Sequence, residues 1–125
     1  MSRMSREIAQ HMSELSGTSE DRAAATFLFP PDFIGFQGHF PAEPILPGVC
    51  EIQAVLVLLS SWKSKEIRLS AIKLAKFLAP IRSDEETDIT CQVVRQHGRC
   101  LGVKASVSVA GSQSALLWIE ASIEE

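Results

Sequence analysis

The amino-acid sequence predicts an α+β fold in which a curved antiparallel sheet is wrapped around one central apolar helix. The helix is predicted because residues 49–59 are apolar on nearly every side, so that other elements must surround them. The sheet is predicted because four segments with strand character follow the helix. The length of 125 residues, with 46% hydrophobic and 22% charged residues, predicts that residues 1–125 form a single globular domain.

The segment before the central helix is predicted to contain a turn and a strand. Ile8, Met12 and Leu15 have the spacing of a helix face, but the segment is short and its structure stays open. Residues 16–19 (SGTS) have the composition of a turn. Residues 23–29 have the composition of a strand, which the two following prolines end.

The central helix is predicted to begin at Pro47 and Gly48 and to end near Trp62. Proline suits this position because the amides of a first helical turn have no intrahelical partner. The strands after the helix are predicted at residues 66–80, 85–96, 100–110 and 114–123, with turns at residues 97–98 and 111–112. One central helix followed by a long antiparallel meander is the arrangement of the hot-dog fold.

Charge and composition exclude several kinds of function. The net charge of −3, without a basic stripe, argues against nucleic acid as a partner. The longest apolar run is too short to span a membrane, and the polar start does not resemble a signal peptide, so a cytoplasmic protein is expected. The three cysteines have no metal-ligand spacing and are expected to be reduced, mostly buried thiols.

One stretch carries a recognisable motif. Residues 38–49 read GHFPAEPILPGV, and this pattern resembles that of the 3-hydroxyacyl-[acyl-carrier-protein] dehydratases, in particular their FabZ-like and aryl-polyene-type members, which read GHFPxxPxxPGV. Residues 76–86, KFLAPIRSDEE, are similar to a second pattern of that family, although Ser83 stands where glycine is usual. Together the similar parts cover about residues 26–123, and the resemblance implies the hot-dog fold.

The resemblance also implies roles for individual residues. His39 would be the base that removes the proton next to a thioester carbonyl. Gly48 would donate its backbone amide to the carbonyl oxygen from the helix start, where developing negative charge is stabilised. The acid of the family is a carboxylate 14 residues after the histidine, supplied by the other subunit of a dimer, and Gln53 occupies that position here.

Gln53 can hold a hydroxyl or a water through hydrogen bonds, but it cannot donate a proton as a carboxylic acid does. Glu51 stands two positions earlier and points elsewhere, because two helical steps rotate a side chain by about 200°. If Gln53 faces His39, Glu51 does not. Glu51 is therefore most simply an acid that interacts favourably with the helix N-terminus, and a Gln53→Glu change is expected to restore the missing acid.

Further positions are predicted to contact the substrate. Phe40, Pro47 and Val49 stand within the motif. Lys76 and Arg82 are cations that would attract the phosphate of a pantetheine arm or an acidic carrier protein. The implied partner is an acyl carrier protein or a coenzyme A thioester, with a homodimer, or a pair with a second dehydratase subunit, as the assembly. No metal or other cofactor is expected.

The function predicted from these observations is elimination of water from a 3-hydroxyacyl thioester to give the trans-2-enoyl thioester, in fatty-acid or related lipid or polyene synthesis. Two alternatives remain open at this point. A non-catalytic helper subunit that binds acyl carriers would explain the glutamine at position 53. A hot-dog thioesterase would use Gln53 or Glu51 to orient an attacking water.

Overall fold

A computed structural model describes residues 2–37 and 44–124 of the chain, and these residues confirm the predicted fold class. In chain order the elements are α1 (Arg3–Gln10), β1 (Met12–Ser19), β2 (Arg22–Leu28), a 3₁₀ helix (Ile34–Phe36), α2 (Gly48–Lys63), β3 (Ile67–Phe77), β4 (Glu86–His97), β5 (Cys100–Val109) and β6 (Ser112–Ile123). Within these residues, no helix has both the length and the apolar character needed to cross a membrane.

All strands of the described chain belong to one antiparallel sheet in the order β1-β2-β4-β5-β6-β3. The strands β4, β5 and β6 follow one another as hairpins, whereas β3 lies at the far edge and pairs with β6. Helix α2 contacts β1 and β2 near one edge and β3 at the other. One helix can reach both edges only if the sheet curves around it, as the hot-dog arrangement requires.

The core lies between α2 and the inner face of the sheet. Helix α2 buries side chains over most of its circumference, whereas one stripe, formed by Val49, Gln53, Leu56 and Ser60, is not fully buried. The strands contribute buried residues at alternate positions to this core, such as Val103, Ala105 and Val107 of β5. Burial of each large aliphatic side chain stabilises the fold by about 1.5–3 kcal/mol. Two of the three cysteines, Cys50 and Cys91, belong to this core.

The N-terminal segment differs from the prediction. The turn predicted at residues 16–19 is wrong, because these residues belong to β1 and pair with β2. β1 is an edge strand whose side chains are almost all exposed, so it has no alternation of apolar and polar residues to reveal it. Glu14 adopts a positive φ of 53°, and the pairing register shifts beside it. Gly17 allows close approach of Trp62, whose Nε1 would lie 2.8 Å from a Cβ at that position.

The last hairpin turn is one residue earlier than predicted. Ala110 and Gly111 are its two central residues, with φ values of 51° and 81°, and β6 already begins at Ser112. Two consecutive positive φ values are typical of the tight turns that match the twist of a hairpin. The glycine supplies one of them without strain.

Candidate active site

The chain that enters α2 is attached to the segment after β3. The Leu46 amide donates a hydrogen bond of 2.8 Å to the carbonyl of Ile81, and Ile45 forms an antiparallel bridge with Arg82. The Arg82 amide in turn donates to the carboxylate of Glu85 at 2.6 Å. These bonds hold the start of α2 beside the end of β3. The two segments that resemble dehydratase motifs, residues 38–49 and 76–86, are thereby joined at Ile45 and Leu46.

Helix α2 begins with amides that no side chain of the described residues caps. Pro47 is the N-cap residue, with an extended backbone and no side-chain hydrogen bond to the first turn. The Cys50 amide donates to the Pro47 carbonyl at 2.9 Å, and the helix continues from there. Because first-turn amides lack intrahelical acceptors and carry the positive end of the helix dipole, the Gly48 end of α2 is suited to bind an oxygen that gains negative charge.

An apolar cleft of about 390 Å³ opens at this helix start. Its walls come from the segment before α2, from the first turn of α2 and from the end of β3. They are formed by Ile45, Leu46, Pro47, Gly48, Glu51, Phe77, Leu78, Ala79 and Pro80. The only ionisable side chain among these lining residues is that of Glu51. The cleft therefore offers a substrate a helix N-terminus, a carboxyl group and apolar walls.

Glu51 differs most from its sequence-based interpretation. The sequence predicts a favourable interaction with the helix N-terminus, whereas the structure buries the side chain and leaves only 4% of its surface exposed. Its Oε1 is buried and accepts no hydrogen bond from any residue the structure describes. Burial raises the pKa of this carboxyl group to about 8, so most of it carries a proton at neutral pH. A signal for this position was present in the sequence, since residues three apart lie on one helix face and Glu51 follows Gly48 by three.

Gln53 lies on a different side of α2, as the helical rotation predicts. Its side chain is half-buried and does not line the cleft of its own chain. Its Oε1 is buried and has no hydrogen-bond partner within the described part of the chain. Its role in the site stays a prediction.

The other predicted site residues line the cleft, lie on the exposed surface outside it, or fall outside the described residues. Pro47 lines the cleft together with Gly48. Val49 is 62% exposed, and Lys76 and Arg82 are exposed on β3 and just after it, outside the cleft lining. His39 and Phe40 lie outside the described residues, so their predicted roles rest on the sequence motif.

A second cavity, of about 490 Å³, lies at the other end of α2. Its lining includes Leu56 and Ser60 of the helix and Leu69 of the edge strand β3. It contains none of the predicted site residues. It lies beside the open sheet edge formed by β3.

The curved sheet, the central helix and the cleft at the helix start together define a protein of the hot-dog class. The chain belongs to the ApeI-like family, whose model, described as ApeI dehydratase, matches residues 15–113. The resemblance to dehydratases inferred from the motif is therefore confirmed at the level of the family.

Comparisons with individual proteins agree with this membership. The chain is similar to the 3-hydroxyacyl-[acyl-carrier-protein] dehydratase FabZ of Rickettsia felis, with 33% identity over 88 residues that cover 64% of this chain and 61% of the relative. The similarity to FabZ of Levilactobacillus brevis is 35% identity over 81 residues, covering 59% of this chain and 55% of the relative. The chain thus spans about three-fifths of the length of the curated relatives it matches.

Solved structures support the fold. A chain of the dehydratase heterocomplex ApeI:P from Xenorhabdus doucetiae superimposes with a TM-score of 0.74 at 19% identity, covering 89% of this chain and 96% of that one. The E. coli PaaI protein, from the phenylacetic acid degradation operon, superimposes with a TM-score of 0.67 at 15% identity, covering 87% and 81% of the two chains. At these identities the likeness establishes the hot-dog fold.

Proposed function

We propose that this protein is a dehydratase that eliminates water from a 3-hydroxyacyl thioester and releases the trans-2-enoyl thioester. The observation that carries this proposal is the start of α2 at Gly48, which opens into an apolar cleft and which no side chain of the described residues caps. Membership of the ApeI-like family and the dehydratase activity of the FabZ relatives support it. In this reaction the thioester carbonyl oxygen gains negative charge as the neighbouring proton leaves, which is the charge that helix-start amides stabilise.

Each of the three predicted catalytic residues has one role in this reaction. His39 removes the proton from C2, because a neutral imidazole accepts a proton near neutral pH. The Gly48 amide donates a hydrogen bond to the carbonyl oxygen while negative charge spreads onto it. The electron pair then forms the C2–C3 double bond as the C3–O bond breaks, and the departing oxygen takes up one proton, equivalent to the one removed by His39, and leaves as water. Gln53, reaching in from a partner copy, positions the hydroxyl group or a water through its amide.

The carrier of the acyl group is an acyl carrier protein or coenzyme A. Lys76 and Arg82 are exposed cations near the cleft end of β3, where they suit the phosphate of a pantetheine arm or an acidic carrier surface. Val49, Pro47 and Phe40 would contact the substrate nearer to the reacting carbons. The cytoplasm is the expected location, because it keeps cysteines such as Cys50 and Cys91 reduced.

The assembly we propose is a homodimer formed through the β3 edge. In the described chain, the outer side of β3 has no strand partner, and an open apolar edge is prone to association. The large apolar residues exposed on and beside it are Val49, Leu69, Ile72, Phe77 and Leu78. Pairing of two β3 strands would extend the sheet and cover the second cavity, which Leu69 lines.

A second function is favoured by one specific observation. Gln53 cannot supply the proton that the family obtains from a carboxylic acid at this position. A subunit that binds acyl carriers and pairs with an intact dehydratase would not need that proton. The X. doucetiae relative is described as a heterocomplex, and the same kind of pairing is the alternative assembly for this chain.

Product analysis separates the functions. The protein is incubated with one 3-hydroxyacyl group, linked either to an acyl carrier protein or to coenzyme A, and the products are identified by mass spectrometry. An enoyl thioester supports the dehydratase, free acid indicates a thioesterase, and no turnover favours the helper subunit. The His39→Ala variant is expected to abolish dehydration without unfolding the protein. His97→Ala removes an exposed imidazole at the end of β4 and serves as the matched control.

A further inference from the structure

The cleft contains an ionisable side chain, Glu51, that takes no part in the dehydration mechanism proposed for His39, Gly48 and Gln53. Glu51 lies in the first turns of α2, lines the same cleft as Gly48 and exposes only 4% of its surface. Its Oε1 is buried and unpaired among the described residues. A charged carboxylate without a hydrogen-bond partner is costly in such surroundings. The fold therefore holds Glu51 as a neutral acid, which can donate a proton.

The site needs such a donor. A hydroxide ion is a poor leaving group near neutral pH, and proton transfer to the departing oxygen accelerates such steps by about 10²–10⁴-fold. Gln53 occupies the family position of the acid but has no proton to give. Glu51 has one, and it shares a helix face with Gly48 because the two residues are three positions apart.

We propose that Glu51 is the proton donor of this site and acts from the same chain whose Gly48 amide binds the thioester carbonyl. The inference rests on the proposed dehydration. It departs from the dehydratase mechanism predicted from the sequence, in which Glu51 was most simply an acid that stabilised the helix start. It also removes the main argument for the helper subunit, because the site then contains an acid.

The protons and electron pairs of the elimination are all accounted for by the base, the substrate and Glu51. The base takes the C2 proton, the C2–H electron pair becomes the C2–C3 double bond, and the C3–O bond breaks with its electron pair on oxygen. Glu51 transfers its proton to that oxygen, and water leaves. The site is then left with a protonated base and an ionised Glu51, and transfer of one proton between them, through water, restores the starting state.

The test compares two leaving groups. A 3-hydroxyacyl thioester requires protonation of its leaving oxygen, whereas a 3-chloroacyl thioester releases chloride, which needs no proton. For Glu51→Gln we expect kcat for dehydration to fall by about 100-fold or more. The rate of chloride elimination, after subtraction of the uncatalysed rate, should change by less than about three-fold. Glu51→Asp, which keeps the carboxyl group on a shorter stem, is expected to retain part of the dehydration rate. Glu20→Gln removes an exposed carboxylate in the β1–β2 turn and is the control for loss of one charge.

The outcomes that overturn the inference are distinct from those that overturn the proposed function. If Glu51→Gln dehydrates at the wild-type rate, or loses both eliminations equally in a folded protein, Glu51 is not the proton donor. If the wild-type protein eliminates neither water nor chloride, the dehydratase proposal itself is wrong. Thermal unfolding of each variant shows whether the fold is retained, and the near-identical size of Gln and Glu favours its retention.

Discussion

Gly48, the first residue of α2, lies so close to Phe77 at the end of β3 that a Cβ atom built on the glycine would be 2.7 Å from Cζ of the ring. Real Cβ atoms do not approach other carbons to this distance. The glycine therefore lets the helix start and the edge strand approach each other, and together they form two walls of the cleft. The position of the Gly48 amide in the cleft depends on this contact.

The first prediction concerns that contact. Gly48→Ala should force the Phe77 ring or the helix start to move, at a cost of about 1–3 kcal/mol typical of overpacking, and should lower the dehydration rate. Gly102→Ala is the matched control, because its nearest neighbour, Cβ of Arg95, would lie at an ordinary 3.5 Å. Stability is measured by urea unfolding, and activity by formation of the enoyl thioester.

A double variant shows whether the ring is the cause. Gly48→Ala combined with Phe77→Ala removes the clashing atoms, so we expect it to recover stability relative to the sum of the two single variants. Additive losses would show that the ring does not require a glycine at position 48.

The second prediction concerns Gln53. The sequence alone predicts that Gln53→Glu raises the rate by supplying a missing acid. With Glu51 as the proton donor, the acid is already present, and we expect steady-state kcat to change by less than about three-fold. A ten-fold gain would indicate that the site had lacked an acid and would count against Glu51.

The third prediction follows from the raised pKa of Glu51. This pKa is about 8 in the folded protein against an ordinary value of 4.5. Between these values the folded state holds a proton that the unfolded state has released, so the free energy of unfolding should fall as the pH rises, by at most about 1.4 kcal/mol per pH unit from this group. Glu51→Gln should lose this part of the pH dependence, whereas Glu20→Gln should keep it.

The comparison requires urea unfolding curves at several pH values between about 5 and 8 for the wild type and both variants. Parallel curves of stability against pH for the wild type and Glu51→Gln would show that the Glu51 carboxyl group titrates normally in the folded protein.

The fourth prediction concerns the assembly. Wild-type protein at micromolar concentration should have at least twice the chain mass of 13.7 kDa by light scattering. Leu69→Lys places a charge on the β3 edge and should produce monomers. Leu15→Lys changes an equally exposed leucine on the opposite edge strand, β1, with 38% against 39% of its surface exposed, and should leave the mass unchanged. A monomeric wild type, or equal effects of both variants, would contradict the β3 interface.

The sequence by itself determined the fold class and the main elements. The apolar circumference of α2 requires a surrounding layer, and the alternation in β5 and β6 identifies strands with one buried face. The prolines and glycine around Gly48 placed the helix start correctly. Such patterns are visible because they repeat at the period of one element, 3.6 residues or two. The edge strand β1 lacks a repeating pattern, and it was predicted wrongly at residues 16–19.

Only the tertiary structure decided which groups share the cleft. The approach of Phe77 to Gly48 depends on the pairing that brings the end of β3 beside the start of α2, and these segments are far apart in the sequence. The protonation of Glu51 was also decided by the tertiary structure. Its pKa is raised because residues from several segments bury the carboxyl group, and the residues next to it in the sequence do not reveal this burial. The helical repeat of a sequence predicts the direction in which a side chain points. The free energy of ionising that side chain depends on the groups that the rest of the fold places around it.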